Sequence, residues 1–295
     1  MNENSTTVAI IGGGPAGLTA ALYLGRAKIN CLVIDKDMCG GQIISSPLLE
    51  NVPGFYGPGV DLAMNMLEEI SKYPSVQFAN FSKVVKVNQT SKDSIEITLE
   101  DGAKITSRYV ICATGSDPIR LPRLESDSTH YCVTCDGPLY ENKPVAVIGG
   151  GNSALQYALE LTKYASSVKV ITNEPILRGE EEMRQRVLNH PLINVVCNFT
   201  ADKFENGVLT STYVTQVEVS GIFIAIGYRP NTDYLDVSKG DCFMTNSLGQ
   251  IFDGREYSKS IYAVGDCRLK SFNQVVIAMA DGCTAALSII RDLEK

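Results

Sequence analysis

Residues 8–35 read VAIIGGGPAGLTAALYLGRAKINCLVID, and residues 145–172, VAVIGGGNSALQYALELTKYASSVKVIT, align to them without a gap. Each copy predicts a strand, a glycine-rich turn, an amphipathic helix and a second strand. The strands are short runs of branched apolar residues, which are typical of parallel strands covered on both faces. The sequence therefore predicts two βαβ units and an α/β fold with parallel sheets.

The glycine turns have the spacing that binds a dinucleotide. Gly12, Gly14 and Gly17 permit a tight turn, close approach of the backbone to a pyrophosphate, and packing of the helix on the sheet. The following helix offers free N–H groups and a positive dipole end to phosphate. The alternative is an ordinary glycine-rich turn of an α/β sheet. The strand, the helix and the acidic residue after the second strand favour dinucleotide binding for the first copy.

The two copies differ at the residue that ends the second strand. Asp35 can accept hydrogen bonds from a ribose diol, so the first copy predicts a site for an adenosine nucleotide. The equivalent residue in the second copy is Thr172, and Glu174 follows it. No arginine pair is present there to neutralise a ribose 2′-phosphate, and the Glu174 carboxylate repels one. Tight binding of NADPH is therefore not expected.

Two of the nine cysteines have a spacing with chemical meaning. Cys132 and Cys135 can close a disulfide over two residues, a helix N-terminus can lower a thiol pKa, and the adjacent Asp136 can transfer a proton. Half of a zinc site is the alternative, but the two histidines, His130 and His190, do not form the ligand pair that zinc requires. We predict no metal site. Three other cysteines lie in apolar runs and are predicted to be inert packing residues: Cys31, Cys112 and Cys283.

Composition excludes several classes of protein. The 295 residues exceed the usual ~100–200 residues of one domain, and 44% hydrophobic against 20% charged residues excludes a disordered chain. A net charge of −7 argues against nucleic-acid or anionic-membrane partners. No apolar stretch approaches the roughly 18 residues that span a bilayer, and the start lacks the pattern of a signal peptide. We expect a cytoplasmic protein with reduced thiols.

Further motifs lie along the chain: Gly12-Gly13-Gly14-Pro15-Ala16-Gly17, Gly40-Gly41-Gln42, Glu50-Asn51-Val52-Pro53-Gly54-Phe55, Ala113-Thr114-Gly115, Cys132-Val133-Thr134-Cys135-Asp136-Gly137, Ile224-Ala225-Ile226-Gly227-Tyr228-Arg229-Pro230-Asn231, Ala263-Val264-Gly265-Asp266 and Gln274-Val275. Over nearly the whole chain they resemble the low-molecular-weight thioredoxin reductases, which are homodimeric flavoproteins. Most of these motifs are common among flavoproteins, whereas the cysteine motif is specific.

The resemblance implies a domain organisation. Two Rossmann-like dinucleotide-binding domains are expected, with the second inserted into the first, as in the disulfide reductase fold that uses FAD and NAD(P). The FAD domain comprises residues 1–115 and 230–295, and the inserted domain, residues 116–229, carries the cysteines. The linkers 114–119 and 227–232 are expected to be hinges whose rotation exposes the cysteine pair alternately to the flavin and to thioredoxin.

The resemblance also implies roles for individual residues. Cys135 faces the flavin, Cys132 attacks the disulfide of thioredoxin, and Asp136 protonates a leaving thiolate. The ADP half of FAD and its surroundings involve Gly12, Gly14, Pro15, Ala16, Gly17, Asp35 and Lys36. The flavin side and ribitol involve Gly41, Gln42, Asn51, Ala113, Thr114, Gly115, Gly265, Asp266, Gln274 and Val275.

The sequence departs from the NADPH-dependent pattern of that family in three places. Thr172-Asn173-Glu174 replaces a His-Arg-Arg cluster, with Arg178 retained at the last arginine. The segment between residues 178 and 222 is short, which suggests the loss of a hairpin. Asn273 replaces an arginine. Together they resemble the ferredoxin-dependent flavin thioredoxin reductases, in which the flavin receives single electrons.

Three functional alternatives follow. The first is reduction of thioredoxin with ferredoxin as donor, the second uses NADH or NADPH, and the third is a flavin-bearing sensor or scaffold without catalysis. An acidic ferredoxin favours a basic docking patch. The candidates for that patch are Lys36, Lys83, Lys86, Arg268 and Lys270.

Overall fold

The computed structural model describes residues 5–46, 48–212, 216–237 and 241–295. The chain forms two compact units. Unit 1 consists of Met1–Asp117 and Pro230–Lys295, and unit 2 of Pro118–Arg229.

The elements are labelled in chain order. The first part contains β1 (Ser5–Ile11), α1 (Pro15–Arg26), β2 (Cys31–Ile34), β3 (Leu49–Val52), β4 (Phe55–Gly57), α2 (Gly59–Ser71), β5 (Val76–Ala79), β6 (Val84–Ser91), β7 (Ser94–Leu99), β8 (Lys104–Cys112) and β9 (Ser116–Pro118). The middle contains β10 (Thr129–His130), α3 (Val133–Asp136), β11 (Pro144–Ile148), α4 (Asn152–Leu161), β12 (Ser167–Ile171), α5 (Glu181–Leu188), β13 (Ile193–Val196), β14 (Ala201–Glu205), β15 (Val208–Ser211), β16 (Gln216–Glu218), β17 (Gly221–Ile224) and β18 (Tyr228–Pro230). The last part contains β19 (Gln250–Phe252), β20 (Tyr257–Ala263) and α6 (Val275–Leu293). Short 3-10 helices span Gly41–Ser45, Pro122–Leu124, Gly137–Tyr140 and Gly265–Cys267.

Unit 1 is built on a mixed sheet in the order β19-β20-β8-β1-β2-β5, with β7 pairing β8 and β6 pairing β7. Strands β20, β8, β1, β2 and β5 are parallel. Because side chains alternate along a strand, Val8 and Ile10 pack in a core with α1 and α6, while Ala9 and Ile11 pack in a second core with β6 and β7. The central strand is thus covered on both faces.

Unit 2 repeats this plan with a five-stranded parallel sheet in the order β10-β17-β11-β12-β13. One face packs on α4, and the other packs against a separate antiparallel sheet, β14-β15-β16. This antiparallel sheet lies in the segment that was expected to have lost a hairpin. The segment contains one hairpin, between β14 and β15, and the loss of a further hairpin stays a prediction.

The two βαβ units have the same strand register. Val8 pairs with Cys31 in unit 1, and the equivalent Val145 pairs with Val168 in unit 2. The backbone hydrogen bonds of the turns are also equivalent, because Gly12 N donates to Ile34 O at 2.7 Å and Gly149 N donates to Ile171 O at 2.8 Å. The prediction of two βαβ units from the repeat is confirmed.

Candidate functional site: a dinucleotide turn and a redox-active cysteine pair

The first glycine turn leaves no room for side chains on its inner side. Gly12 has φ +104°, and a Cβ there would lie 2.3 Å from Ala113 O. A Cβ on Gly17 would lie 2.0 Å from Gly12 O, so the helix α1 approaches the turn at backbone contact. Gly14 differs, since its nearest neighbour would be Gly41 Cα at 3.8 Å. The outer side of the turn is therefore open to a ligand, as a pyrophosphate requires.

Helix α1 presents its N-terminus at this open side. It begins at Pro15, and no side chain caps it through Gly14. The first N–H groups of a helix lack partners within the helix and attract anions. Asp35 is fixed at the end of β2, because its Oδ2 accepts from Gly13 N at 2.6 Å and its Oδ1 accepts from Asp37 N at 2.8 Å. Each carboxylate oxygen retains a further lone pair for a ribose hydroxyl. The donors and acceptor of this site fit the ADP half of FAD.

Several residues predicted for the flavin side are connected by hydrogen bonds in unit 1. Asn51 Nδ2 donates to Gln274 Oε1 at 3.1 Å, which joins two motifs that are far apart in the sequence. Gln42 Nε2 donates to Ser116 O at 2.7 Å. Gly115, with φ +62°, has only Gln42 Nε2 near its missing Cβ, at 3.9 Å. The backbone at Gly115 is thus also accessible to a planar ring.

Two residues of this region were missed in the sequence. Asn231 holds Thr114 on both sides, since Asn231 O accepts from Thr114 Oγ1 at 2.5 Å and Asn231 Nδ2 donates to Thr114 O at 3.2 Å. Asp281 accepts from Gly265 N at 3.1 Å and so fixes the turn that carries Asp266. Asp281 could have been found from the sequence, because it is an acidic residue within the otherwise apolar run of α6.

Most residues predicted to form a basic patch have an acidic side chain as a partner. Four of its five residues are in ion pairs: Lys36 with Asp117 at 3.2 Å, Lys83 with Glu100 at 2.8 Å, Arg268 with Asp281 at 2.6 Å and Lys270 with Asp266 at 3.0 Å. The fifth, Lys86, is exposed on β6. Paired charges attract an acidic partner less strongly than free ones, and a docking patch at these residues stays a prediction. The cofactor role of Lys36 stays a prediction.

The second glycine turn has a different environment. Thr172 Oγ1 accepts from Glu174 N at 3.2 Å, and Glu174 Oε1 pairs with Arg178 at 2.6 Å. Arg178 N in turn donates to Gly150 O at 2.7 Å. The arginine retained at this position is therefore already paired with a carboxylate, and the carboxylate that follows β2 in the first copy has no counterpart here.

The cysteine pair lies at the start of α3 in unit 2. Cys132 and Cys135 are joined by a disulfide, as the C-x-x-C spacing predicts. Cys132 is the N-cap of α3, and its Sγ accepts from Cys135 N at 3.2 Å. Val133 is buried and anchors the motif, whereas Cys135 is exposed. A disulfide between these two residues is suited to exchange with another thiol pair.

His130 contacts Asp136, the acidic residue of this motif. From the sequence, His130 was considered only as a metal ligand. Its Nδ1 lies 3.2 Å from Asp136 Oδ2 and its Nε2 lies 2.7 Å from the Tyr140 hydroxyl. No pattern in the sequence signals this contact, because only the turn through α3 brings the three side chains together.

Four buried thiols outside the pair are unsuited to nucleophilic chemistry. Burial raises the pKa of Cys31 and of Cys39 to about 12, and that of Cys267 to about 11. Burial also raises the pKa of Cys112. A thiol must be deprotonated to attack, so these residues are inert at neutral pH. Cys283, predicted to be a core residue, is partly exposed on α6, and that prediction was wrong.

These features define a class, the dinucleotide-binding disulfide reductases: two Rossmann-like units, an open glycine turn beside Asp35 in one and a disulfide between closely spaced cysteines in the other. The family of pyridine nucleotide-disulphide oxidoreductases matches residues 6–282. The chain belongs to this family, and membership implies that it binds FAD. The predicted α/β fold of FAD- and NAD(P)-linked disulfide reductases is confirmed.

Three similar proteins illustrate the range of the family. A protein of Clostridium pasteurianum, described as a 34.2 kDa protein in rubredoxin operon, is 34% identical, over 97% of this chain and 96% of its own. An NADH dehydrogenase of Bacillus subtilis is 34% identical over 95% of this chain, which spans 57% of that relative. The crystal structure of Lactococcus lactis thioredoxin reductase has a TM-score of 0.90 at 29% identity, over 98% of this chain and 100% of that one.

One negative finding concerns membranes. Within residues 5–46, 48–212, 216–237 and 241–295, no helix is long and apolar enough to cross a bilayer.

Proposed function

We propose that the chain is a flavoprotein that reduces the disulfide of thioredoxin through FAD and the Cys132–Cys135 pair. The observation that carries this proposal is the disulfide at the start of α3, with Asp136 directly after it, in a chain whose first glycine turn fits FAD. The likeness to the Lactococcus lactis thioredoxin reductase over the whole chain supports the same substrate.

FAD is held, in this proposal, by the turn of Gly12 to Gly17, by Asp35, and by the connected residues Asn51 and Gln274. When bound, FAD supplies the electron pair that reduces the enzyme disulfide. The hydrogen bonds of Gln42 and Asn231 keep the backbone around Thr114 in one position, which fixes the surface that faces the ring.

The dithiol carries out the exchange with thioredoxin. The Cys132 thiolate attacks one sulfur of the partner's disulfide, so one S–S bond forms and one breaks, and the leaving thiolate takes a proton from Asp136. Cys135 then loses its thiol proton to water and attacks Cys132, which reforms the enzyme disulfide, and the second thiolate that leaves takes a proton from water. Two electrons and two protons pass to thioredoxin, and the enzyme returns to the disulfide form seen in the structure.

Ferredoxin is the electron donor that we propose. The support comes from the second glycine turn, where Thr172 replaces the ribose-binding carboxylate and Glu174 pairs with Arg178. A flavin can receive electrons singly and deliver two, so hydride donation is not required. NADH is the rival donor, because Gly149, Gly151 and Ala154 keep the turn compatible with a pyrophosphate. The Bacillus subtilis relative is named for NADH, and the clostridial relative for a rubredoxin operon.

An anaerobic donor assay tests the proposal. The holoenzyme is mixed with micromolar NADPH, NADH or reduced ferredoxin, and the flavin absorbance is followed with and without thioredoxin. We expect bleaching by ferredoxin alone and turnover of thioredoxin. Rapid bleaching by either nucleotide contradicts the ferredoxin assignment. A reduced enzyme that turns over no thioredoxin contradicts the enzymatic proposal and favours the sensor.

A substitution at Glu174 tests the role of the second turn. Glu174→Ala removes a carboxylate that repels a phosphate and frees Arg178, so we expect NADPH to bind about threefold to fivefold more tightly, the size of an exposed charge interaction. The measurement is a binding titration with NADPH. Glu205→Ala is the matched control, because it breaks an exposed ion pair with Lys203 in the same unit. Equal affinity of Glu174→Ala and wild type shows that Glu174 does not oppose the nucleotide.

The remaining expectations are proposals as well. We place the protein in the cytoplasm as a homodimer. Exposed large apolar side chains of unit 1 support self-association: Met38, Tyr56, Met64, Phe81, Leu269 and Phe272.

A further inference from the structure

His130 lies between the acid of the cysteine motif and a tyrosine. Its Nδ1 is 3.2 Å from Asp136 Oδ2 and its Nε2 is 2.7 Å from the hydroxyl oxygen of Tyr140. The side chain of His130 is 11% exposed, and that of Asp136 is 31% exposed. The imidazole thus connects an interior hydroxyl to a carboxylate that water reaches.

The fold holds this imidazole in one place. His130 pairs with Phe223 in the register of β10 and β17, and the two rings lie 5.2 Å apart. Tyr140 packs edge-on against both rings, at 5.3 Å from His130 and 5.6 Å from Phe223. Gly221 makes room for it, since a Cβ there would lie 2.4 Å from the Tyr140 hydroxyl. Three elements therefore fix the hydrogen bonds of one histidine.

The hydrogen bonds define how the imidazole carries protons. Toward the Asp136 carboxylate, Nδ1 must donate, because an ionised carboxylate only accepts. Burial raises the pKa of Tyr140 above its ordinary value, so its hydroxyl keeps its proton and can donate to a bare Nε2. When Nε2 is protonated, the same hydroxyl oxygen can accept. Both charge states of His130 are accommodated without movement of the ring.

We propose that His130 is a positioning residue that orients Asp136 and restores its proton in each turnover, an inference that rests on the proposed thiol–disulfide exchange. In its resting state the pair is an ionised Asp136 carboxylate and a neutral His130 imidazole. In its loaded state the pair carries one additional proton. That proton passes from Asp136 to the leaving thiolate, and the remaining carboxylate accepts the Nδ1–H bond. A proton from water then reloads the pair. No electrons move in this step.

The reloading step predicts a pH dependence. Histidine is the side chain that changes charge between about pH 5 and 8, and coupled groups titrate as a pair. The groups that face the imidazole are Asp136 from α3 and Tyr140 from the 3-10 helix, with the uncharged Phe223 from β17 and the cysteine pair beside the acid. The rate of the proton-requiring step is expected to fall as the pH rises through this range.

The test uses the prereduced holoenzyme and follows reoxidation of its dithiol from about pH 5 to 9, by thioredoxin and by a small aromatic disulfide. His130→Asn keeps an N–H donor at the position of Nδ1 but does not titrate. Because it cannot store the extra proton, we expect it to lack the falling limb of the pH–rate profile and to react over the whole range at about the rate that wild type shows at high pH. His130→Leu removes the donor, and we expect a loss of about 10²-fold, the size of one acid–base contribution.

Two further variants separate the role of His130 from folding. Tyr140→Phe keeps the ring packing and removes the hydroxyl. We expect the protein to remain folded and the falling limb of its pH–rate profile to move to a different pH. His190→Asn, which changes the only other histidine of the chain, is the control and is expected to retain the wild-type profile. A wild-type limb that persists in His130→Asn overturns the proposal. If thioredoxin is not reduced but the small disulfide shows the limb, the proposed substrate fails and the role of His130 stands.

Discussion

Replacing either cysteine of the pair with serine is expected to abolish the reduction of thioredoxin while leaving the flavin in place and reducible. The Cys132–Cys135 disulfide is the bond that exchanges with the partner, and a serine hydroxyl can neither form it nor attack a disulfide at neutral pH. The glycine turn and Asp35, which we propose to hold the adenosine half of FAD, lie in unit 1, and the substitution changes only unit 2. The measurements are thioredoxin turnover and anaerobic bleaching of the flavin with a strong chemical reductant.

The control for these variants is a cysteine of the same unit outside the motif. Cys197 is a partly exposed free thiol after β13, so Cys197→Ser removes a sulfur without touching the pair. We expect it to turn over thioredoxin like wild type. Cys132→Ser and Cys135→Ser enzymes that retained turnover would show that electrons reach thioredoxin by another group.

Gly17→Val is expected to give a colourless protein that does not take up FAD. A Cβ on Gly17 would lie 2.0 Å from Gly12 O and 3.1 Å from Gly12 C, so α1 must move away from the turn. That movement displaces the N-terminus of α1 and the backbone groups that the pyrophosphate requires. Overpacking at a backbone contact of this kind has no flexible neighbour to absorb it. The ratio of flavin to protein absorbance measures the effect, with circular dichroism to report the fold.

The second glycine turn supplies the comparison. Gly151 has no atom within 4 Å of an added Cβ and does not have a positive φ, so Gly151→Ala introduces a methyl group without strain. We expect this variant to be yellow, with a full complement of flavin. A yellow Gly17→Val protein with stoichiometric FAD would contradict the assignment of the first turn to the cofactor.

The layout of the two sheets could be predicted from the sequence because it depends on local patterns. Branched apolar runs and glycine spacing specify the strand, turn and helix of each copy, and the register of Val8 with Cys31 recurs as that of Val145 with Val168. The disulfide could be predicted for the same reason, because two residues between cysteines in a helical turn bring the sulfurs together.

The contacts that arise only in three dimensions could not be predicted. His130 lies six residues before Asp136. Only the packing of Phe223 and Tyr140 shows that the imidazole points at the carboxylate. The acidic partners of the basic residues could not be predicted for a related reason. Net charge along a sequence does not show which cations have acidic neighbours, and Lys83 is paired with Glu100 across a strand pair.

The shared register of the two βαβ units places one residue of each at an equivalent point. Slippage by one residue would turn every core side chain toward the wrong face, so the paired strands hold the end of β2 and the end of β12 at matching points of the backbone. The residue that follows can therefore differ, Asp35 in one unit and Thr172 in the other, without any change in the strand pairing that supports it. Chemistry at that point is thus independent of the stability of the sheet.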